Sequence, residues 1–301
     1  MMRSQDAQAG TIWISGSDSN YFPLLKDAVQ SFIRFPQSKD VPMGILDFGL
    51  AQDELDWLRA RGAQVVRPTF LMDMPPELQT DRNLSYLARL YLADYFPHYS
   101  RYLWFDADAW LQTWDSVDAL VSGAETHGLA ICHEKEDSYR LQPWLLRWTL
   151  KHYALGYGFT NGLRLGLRRN LVNAGIFCMR ADAPHWSIWR RALREAIART
   201  GNVTPHDQFA LNKIIFIDGV GAKLLPPRFN WICGRGMPVW DGAAGLFTTP
   251  HADAEAISVL HLAGADAKTK LFDVPTRAGD QIRCGFRYSQ RPDAKPGIAS
   301  E

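Results

Sequence analysis

The sequence predicts an α/β fold in which a mostly parallel central sheet is flanked by helices. Over the first hundred residues, short apolar runs alternate with amphipathic segments, and this alternation is typical of parallel strands covered by helices. The chain of 301 residues has 47% hydrophobic side chains, which is enough for a full core. No internal repeat or low-complexity linker marks a boundary, so we expect a single globular domain.

The first elements form a series of alternating strands and helices. The patterns predict strands at 11–14, 43–48 and 65–66 and helices at 23–35 and 53–61. Leu25, Val29 and Phe32 recur on one face of the first helix. The second helix begins at Asp53, whose carboxylate can cap it, and ends before Gly62, a residue type that often terminates helices.

The later elements follow from the same periodicities. Leu84, Leu87 and Leu90 recur at helical spacing within residues 84–96, and Pro97 ends that helix. The remaining patterns predict strands at 102–105, 129–132, 172–179 and 257–262 and helices at 186–199 and 206–215.

Two segments differ in composition from the rest of the chain. Residues 138–170 are rich in Trp, Tyr, Arg, Leu and Gly, and two interpretations stay open: a helical hairpin that completes the core, or a mobile lid or acceptor-binding wall. The segment after Thr276 has little periodicity and carries the basic residues Arg277, Arg283, Arg287, Arg291 and Lys295. We therefore expect a domain at 1–275 and a poorly ordered basic tail at 276–301 that makes weak peripheral membrane contact.

The composition excludes several classes of protein. A formal net charge of +1 provides no overall electrostatic attraction to nucleic acid or to a membrane. The four cysteines form no C-x-x-C pair, which argues against a zinc site or a redox pair. Neither a signal peptide nor a run of about 18 apolar residues is visible. We therefore expect a cytoplasmic protein, with a location at the inner face of the membrane as the alternative.

Two carboxylates, Asp106 and Asp108, follow the apolar run at 102–105. In open α/β sheets, ligands bind outside the carboxyl ends of the strands. Oxygen ligands at that edge suit a divalent cation that holds a phosphate-bearing substrate. An Asp-x-Asp triplet is common by chance, so its meaning depends on the other polar residues near predicted element ends, which are Asp18, Asn20, Arg89, Asn173, Asp207, Gln208 and His261.

Six motifs occur in a defined order along the chain. They are Tyr86-Leu-Ala-Arg-Leu90, Tyr102-Leu-Trp-Phe-Asp-Ala-Asp108, Asn173-Ala-Gly-Ile-Phe177, Asp207-Gln-Phe-Ala-Leu-Asn212, Leu225-Pro-Pro-Arg-Phe-Asn230 and His261-Leu-Ala-Gly264. In order and approximate spacing they resemble the motifs of glycosyltransferase family 8, over residues 11–268. That family includes bacterial lipopolysaccharide galactosyl- and glucosyltransferases and glycogenin.

The resemblance implies a fold, a reaction and a set of partners. The fold would be GT-A, with a Rossmann-like central sheet. The reaction would be the transfer of a hexose, with retention of anomeric configuration, from a UDP-sugar to a hydroxyl of a glycan, a lipopolysaccharide or a lipid-linked saccharide. The cofactor would be Mn²⁺, with Mg²⁺ as the alternative.

The resemblance also implies roles for individual residues. Asp106, Asp108 and His261 would bind the metal. Gln208, near the anomeric carbon, and Asp207, which grips the donor sugar together with Arg89 and Asn173, would be catalytic. The donor would be bound by Asp18, Asn20, Arg89, Asp106, Ala107, Asp108, Asn173, Gly264 and Lys268. Lys268 departs from the family pattern, because it lies one position late and no Pro-Trp follows it.

Three other interpretations are weaker. A haloacid-dehalogenase-like phosphatase would need Thr or Val where this chain has Trp110. A nucleotidyltransferase would need a glycine-rich, basic phosphate loop near the start, which Ser15-Gly-Ser-Asp18 is not. A sugar-nucleotide-binding protein without transfer activity stays open as a non-enzymatic alternative.

Overall fold

The structure, a computed structural model, describes residues 8–140, 143–168 and 170–293. The helices are α1 (Phe22–Ile33), α2 (Gln52–Arg59), α3 (Asp81–Leu87), α4 (Leu92–Tyr95), α5 (Asp115–His127), α6 (Pro143–Tyr157), α7 (Phe159–Gly166), α8 (His185–Thr200), α9 (His206–Phe216) and α10 (Ala265–Thr269). The first eight strands are β1 (Gln8–Ser17), β2 (Met43–Asp47), β3 (Ala63–Val66), β4 (Tyr99–Phe105), β5 (Ala109–Leu111), β6 (Leu129–His133), β7 (Val172–Arg180) and β8 (Lys223–Leu225). The remaining strands are β9 (Trp231–Ile232), β10 (Val239–Asp241), β11 (Leu246–Thr248), β12 (Val259–His261), β13 (Phe272–Pro275) and β14 (Gln281–Cys284).

A seven-stranded sheet in the order β3-β2-β1-β4-β7-β6-β8 forms the centre of the molecule. Strand β7 runs antiparallel to both of its neighbours, and every other neighbouring pair in this sheet is parallel. The predicted mostly parallel α/β sheet is therefore confirmed. A three-stranded sheet, β5-β12-β9, and two hairpins, β10-β11 and β13-β14, pack beside it.

Apolar side chains cover both faces of the central sheet. One core cluster joins the sheet to α1, α2 and α5, and a second joins the opposite face to α3, α6, α7, α8 and α9. A third cluster holds the small sheets near the end of the chain together. Burial of side chains on both faces explains why the central strands are continuous apolar runs rather than alternating ones.

The predicted helix at 84–96 is wrong as a single element. The structure divides it into α3, a 3₁₀ turn at Ala88–Leu90 and the short α4. The turn carries Arg89, whose side chain is buried and donates to the carbonyl of Ala174 at 3.1 Å. A buried guanidinium requires partners across the sheet, and leucine spacing alone could not reveal that requirement.

The expected lack of order in the tail is wrong for residues 276–293. Strand β14 pairs with β13, and the ring of Tyr288 is buried. Nε of Arg287 lies 2.7 Å from Oδ2 of Asp27, a carboxylate that is itself buried in α1. This ion pair fixes the end of the described chain to the first helix. The predicted boundary between 1–275 and 276–301 stays a prediction, and Lys295 lies outside the described residues.

Residues 143–168 form two antiparallel helices, α6 and α7, that pack closely against each other. A Cβ at Gly162 would lie 2.6 Å from the backbone of Ala154, and one at Gly166 would lie 2.3 Å from the side chain of Leu150. Glycines at these positions therefore allow the two helix backbones to approach. Tyr153, Tyr157 and Leu165 belong to the second core cluster, as a hairpin that completes the core would require. Among the described helices, none has the length and apolar character needed to cross a membrane.

Candidate functional site

The end of β4 and the short strand β12 meet at one place. Asp106 and Asp108 lie in the turn between β4 and β5. Strand β12 pairs antiparallel with β5, and in that register His261 lies opposite Ala109. The backbone N–H of Leu262 donates to the carbonyl of Asp108 at 2.8 Å. Strand pairing therefore brings His261 to the two carboxylates across a long separation in sequence.

The three side chains form a compact cluster. Nε2 of His261 lies 3.3 Å from Oδ1 of Asp108 and 3.9 Å from Oδ2 of Asp106. One candidate ligand atom from each residue lies within 4.8 Å of the other two. Two carboxylates and one imidazole are a donor set that suits first-row divalent cations. These residues could therefore hold a metal ion, as the resemblance implies.

Glycine at position 175 leaves room for this cluster. A Cβ there would lie 2.5 Å from Cε1 of His261 and 2.7 Å from Oδ2 of Asp106, and Cβ atoms essentially never come that close to other heavy atoms. The carbonyl of Gly175 accepts a hydrogen bond from the backbone N–H of Asp106 at 2.7 Å. The missing side chain and this backbone bond together allow the ligands to converge, so the residues present fit a bound cation.

Asn230 orients the imidazole. Nδ1 of His261 lies 2.9 Å from Oδ1 of Asn230. Nδ2 of Asn230 donates to Oδ1 of Asn173 at 3.2 Å, so Asn230 presents its oxygen to the ring. Nδ1 therefore carries a hydrogen in either protonation state, and the lone pair of the neutral ring is on Nε2, which faces the carboxylates.

A lysine completes the charge balance of the cluster. Nζ of Lys268 lies 2.8 Å from Oδ2 of Asp108. Burial alone would raise the pKa of Asp108, but His261 and Lys268 outweigh burial and hold that pKa well below its usual range. Burial lowers the pKa of His261, but the carboxylates, chiefly Asp108, raise it above its ordinary value overall. A cation must displace the proton on Nε2, so metal binding is expected to release a proton.

A second charged group lies behind the first and is buried. Nη2 of Arg89 lies 2.5 Å from Oδ2 of Asp207, and its Nη1 lies 3.4 Å from Oδ1 of Asp106. Burial raises the pKa of Asp207, although Arg89 acts against it. Burial would lower the pKa of Arg89, but Asp106 and Asp207 outweigh it and raise that pKa. The guanidinium therefore stays charged and connects the Asp-x-Asp turn to the start of α9.

The amide of Gln208 is held by hydrogen bonds. Its Oε1 accepts from the backbone N–H of Ala174 at 3.2 Å and from Nδ2 of Asn173 at 3.3 Å. Asn173 in turn donates to Oε1 of Glu134 at 3.1 Å. The half-buried Gln208 side chain is therefore oriented by strand β7, and Asn173 links it to Asn230.

The loop after β1 reaches the same region. Oδ1 of Asp18 accepts from the backbone N–H of Tyr21 at 3.0 Å, and Nδ2 of Asn20 donates to Oδ2 of Asp18 at 3.3 Å. Nζ of Lys268 lies 5.1 Å from the centroid of the Tyr21 ring. Because Lys268 also contacts Asp108, a continuous path of contacts runs from this loop to the carboxylate cluster.

Gly264 and Ala107 occupy positions that favour small residues. Gly264 has a φ of 103° and lies between β12 and the helix that carries Lys268. Beside it, a Cβ at Gly234 would lie 2.3 Å from the carbonyl oxygen of Ala263. Ala107, which lies between Asp106 and Asp108 in the sequence, is buried in the core. The structure thus brings the sequence-predicted residues to one edge of the sheet.

Sequence reasoning missed four residues of the site. Asn230 and Gly175 lie within two of the six sequence motifs, but no role was predicted for either residue. Glu134 follows directly after β6, so the rule that polar residues at strand ends line the site could have found it. Trp104, whose Nε1 donates to Oδ1 of Asp106 at 2.8 Å, lies within an apolar run and carried no signal.

Comparison with known proteins identifies the fold. No protein-family model matches the sequence, and no curated protein does either. The structure is similar to that of galactosyltransferase LgtC solved with donor and acceptor sugar analogues, with a TM-score of 0.50 and 15% identity over 84% of this chain and 87% of LgtC. It is equally similar to the bifunctional glycosyltransferase WbbM, with a TM-score of 0.50 and 14% identity over 85% of this chain and 46% of WbbM. The chain has a GT-A fold.

Within this GT-A fold, Asn230 provides a direct test of the metal site. Replacing Asn230 with alanine removes the acceptor that orients His261, so the affinity for a divalent cation is expected to fall by about 10- to 100-fold. Titration of Mn²⁺, followed by electron paramagnetic resonance of the free ion, measures this affinity. Asn202→Ala, which changes an exposed loop, is the matched control and should bind as wild type does. Equal affinity in Asn230→Ala would contradict the role of Asn230.

Proposed function

We propose that this chain is a retaining glycosyltransferase resembling family 8, which moves a hexose from a UDP-sugar to a hydroxyl of a glycan or a lipid-linked saccharide. The observation that carries the proposal is the Asp106–Asp108–His261 cluster at the carboxyl end of β4. The GT-A fold supports it, and the similarity to LgtC, solved with donor and acceptor sugar analogues, supports a sugar donor and a sugar acceptor.

The metal ion would be held by Asp106, Asp108 and His261. We propose Mn²⁺ as the ion, because Mn²⁺ accepts an imidazole ligand beside two carboxylates more readily than Mg²⁺ does. When bound, the ion would supply positive charge to the diphosphate on which negative charge develops as the sugar–phosphate bond breaks. Lys268 adds a second positive charge at the same edge, 2.8 Å from Asp108.

The sugar would be held on the other side of the cluster. Arg89, Asn173 and Asp207 are proposed to bind its hydroxyls, and the fixed positions of these side chains favour one orientation of the donor. Gln208 is proposed to face the anomeric carbon, where its carbonyl dipole stabilises positive charge on the sugar without acting as a strong nucleophile. The two donors to its Oε1 restrict the rotation of this amide.

The uracil would lie against the loop that holds Asp18 and Asn20. The contact path from this loop through Tyr21 and Lys268 to Asp108 matches the order of base, diphosphate and metal along a UDP-sugar. Ala107 and Gly264 would let the backbone approach the ribose and the diphosphate. The proposed location is the cytoplasm, at the inner face of the membrane where the acceptor is lipid-linked.

A donor screen tests this function. UDP-glucose, UDP-galactose and UDP-N-acetylglucosamine are each incubated with the protein and Mn²⁺, and release of UDP is measured with and without a chelator. We expect metal-dependent release of UDP from at least one donor. Binding without any release of UDP would favour a sugar-nucleotide-binding protein. Release of pyrophosphate from UTP and a sugar phosphate would favour a nucleotidyltransferase.

A further inference from the structure

The outer surface of the α6–α7 hairpin, residues 143–168, is unusually apolar. Seven of the eleven large hydrophobic side chains that are exposed in the described chain lie on it. Trp144 is 65% exposed, Phe159 is 78% exposed and Leu167 is 63% exposed. Contiguous exposed apolar surface of this kind usually marks a site of interaction.

The exposed side chains form one stripe on each helix. On α6, Trp144, Trp148 and Leu155 recur at intervals of four and seven residues, which places them on one face. On α7, Phe159 and Leu163 recur at an interval of four and continue to Leu167, just after the helix. The buried Tyr153 of α6 and Leu165 of α7 point into the core from the opposite faces, so the stripes lie largely on the side directed away from it. Trp148, at the edge of its stripe, also contacts the ring of Phe209 in α9 at 5.7 Å.

All the Asp, Glu, Lys and Arg positions of this hairpin are basic. Residues 143–168 contain Arg147, Lys151, Arg164 and Arg168 and no Asp or Glu. Arg168 stacks on the ring of Phe216 at 4.6 Å. Among the described residues, the structure records no ion pair for Arg147, Lys151 or Arg164, and all three are exposed. Basic residues beside exposed Trp, Phe and Leu are the composition of helices that lie in the interface of an anionic membrane.

We propose that the α6–α7 hairpin docks on the surface of an anionic lipid bilayer. The Leu and Phe side chains enter the acyl boundary, the Trp rings lie at the headgroup level, and Arg147, Lys151 and Arg164 pair with lipid phosphates. The close glycine packing of α6 on α7 makes the hairpin one preformed unit. Binding therefore needs no folding step.

The basic tail is a poorer candidate for the same contact. The described tail arginines already have partners: Arg283 pairs with Asp273, Arg287 with Asp27 and Arg291 with Asp293. Arg277 donates to Oγ1 of Thr248 at 2.8 Å. Within the described part of the chain, Arg147, Lys151 and Arg164 of the hairpin have no ion-pair partner, so the hairpin replaces the tail as the expected membrane surface.

Flotation with lipid vesicles tests the proposal on the full chain. Vesicles of phosphatidylcholine with one quarter phosphatidylglycerol are expected to bind wild type, and vesicles of phosphatidylcholine alone are expected to bind it at least 10-fold more weakly. The triple variant Arg147→Gln, Lys151→Gln, Arg164→Gln should lose about 100-fold in partition to anionic vesicles. The double variant Trp144→Ser, Phe159→Ser should lose at least 10-fold.

Matched controls lie elsewhere on the surface. Leu71→Ser with Leu271→Ser removes two exposed leucines outside the hairpin, and Arg283→Gln removes a tail charge; both should bind as wild type does. No binding of wild type to anionic vesicles, or equal losses in the controls, would overturn the proposal. A wild-type dimer in sedimentation that the hairpin variants convert to monomer would also overturn it, because a second copy would then cover the surface. Vesicle binding is measured without any sugar donor, so its outcome is independent of the proposed transferase activity.

Discussion

Replacing Asp108 with asparagine is expected to lower metal-dependent release of UDP by about 10²- to 10³-fold or more. Asp108 is the carboxylate that contacts both His261 at 3.3 Å and Lys268 at 2.8 Å. The amide keeps the size of the side chain but removes the negative charge that a cation requires. Initial rates of UDP release at saturating Mn²⁺ measure the effect.

The control for this variant is Asp253→Asn, which neutralises an exposed carboxylate away from the cluster and should leave the rate unchanged. The loss in Asp108→Asn should persist at any Mn²⁺ concentration that wild type tolerates. A rate within a few-fold of wild type in Asp108→Asn would remove Asp108 from the metal site.

Replacing Arg89 with methionine is expected to destabilise the fold by about 3–5 kcal/mol. The guanidinium is buried and lies 2.5 Å from Asp207 and 3.4 Å from Asp106. Methionine fills much of the same volume but leaves Asp207 without its positive partner in a medium of low polarity and removes one of the two positive groups beside Asp106. Urea unfolding in the presence of a chelator measures the free energy of unfolding without any contribution from metal binding.

The double variant Arg89→Met, Asp207→Leu provides the matched comparison. Since it removes the unpaired carboxylate of Asp207 together with the guanidinium, it should recover at least about 1 kcal/mol relative to Arg89→Met alone. A double variant that is less stable than the single one would show that the pair is not coupled in this way. A single variant as stable as wild type would show that the ion pair contributes little.

The sequence predicted the parts of the fold that depend on local pattern. The apolar runs at β1, β2, β4, β6 and β7 are buried on both faces, so each is visible without knowledge of its neighbours. The Asp-x-Asp triplet was predicted from its position after an apolar run, and the role of His261 from the order of the motifs. Their proximity in space depends on the pairing of β12 with β5.

What the sequence did not predict depends on contacts between distant segments. The three residues of β8 and the two of β9 are too short to show any periodicity. The predicted helix breaks at Arg89, whose side chain contacts Asp207, 118 residues later in the chain. Residues 276–293 are held by the pairing of β14 with β13, by the burial of Tyr288 and by the ion pair between Arg287 and Asp27. In each of these contacts, the local sequence around one residue does not identify the residue that it meets.

A calorimetric titration of UDP with and without Mn²⁺ tests the metal site most directly. If Asp106, Asp108 and His261 bind a cation that in turn binds the diphosphate, UDP should bind wild type at least 10-fold more tightly with Mn²⁺ than with a chelator. This difference should disappear in Asp108→Asn. Equal UDP affinity in wild type with and without Mn²⁺ would contradict a metal-bridged diphosphate at this site.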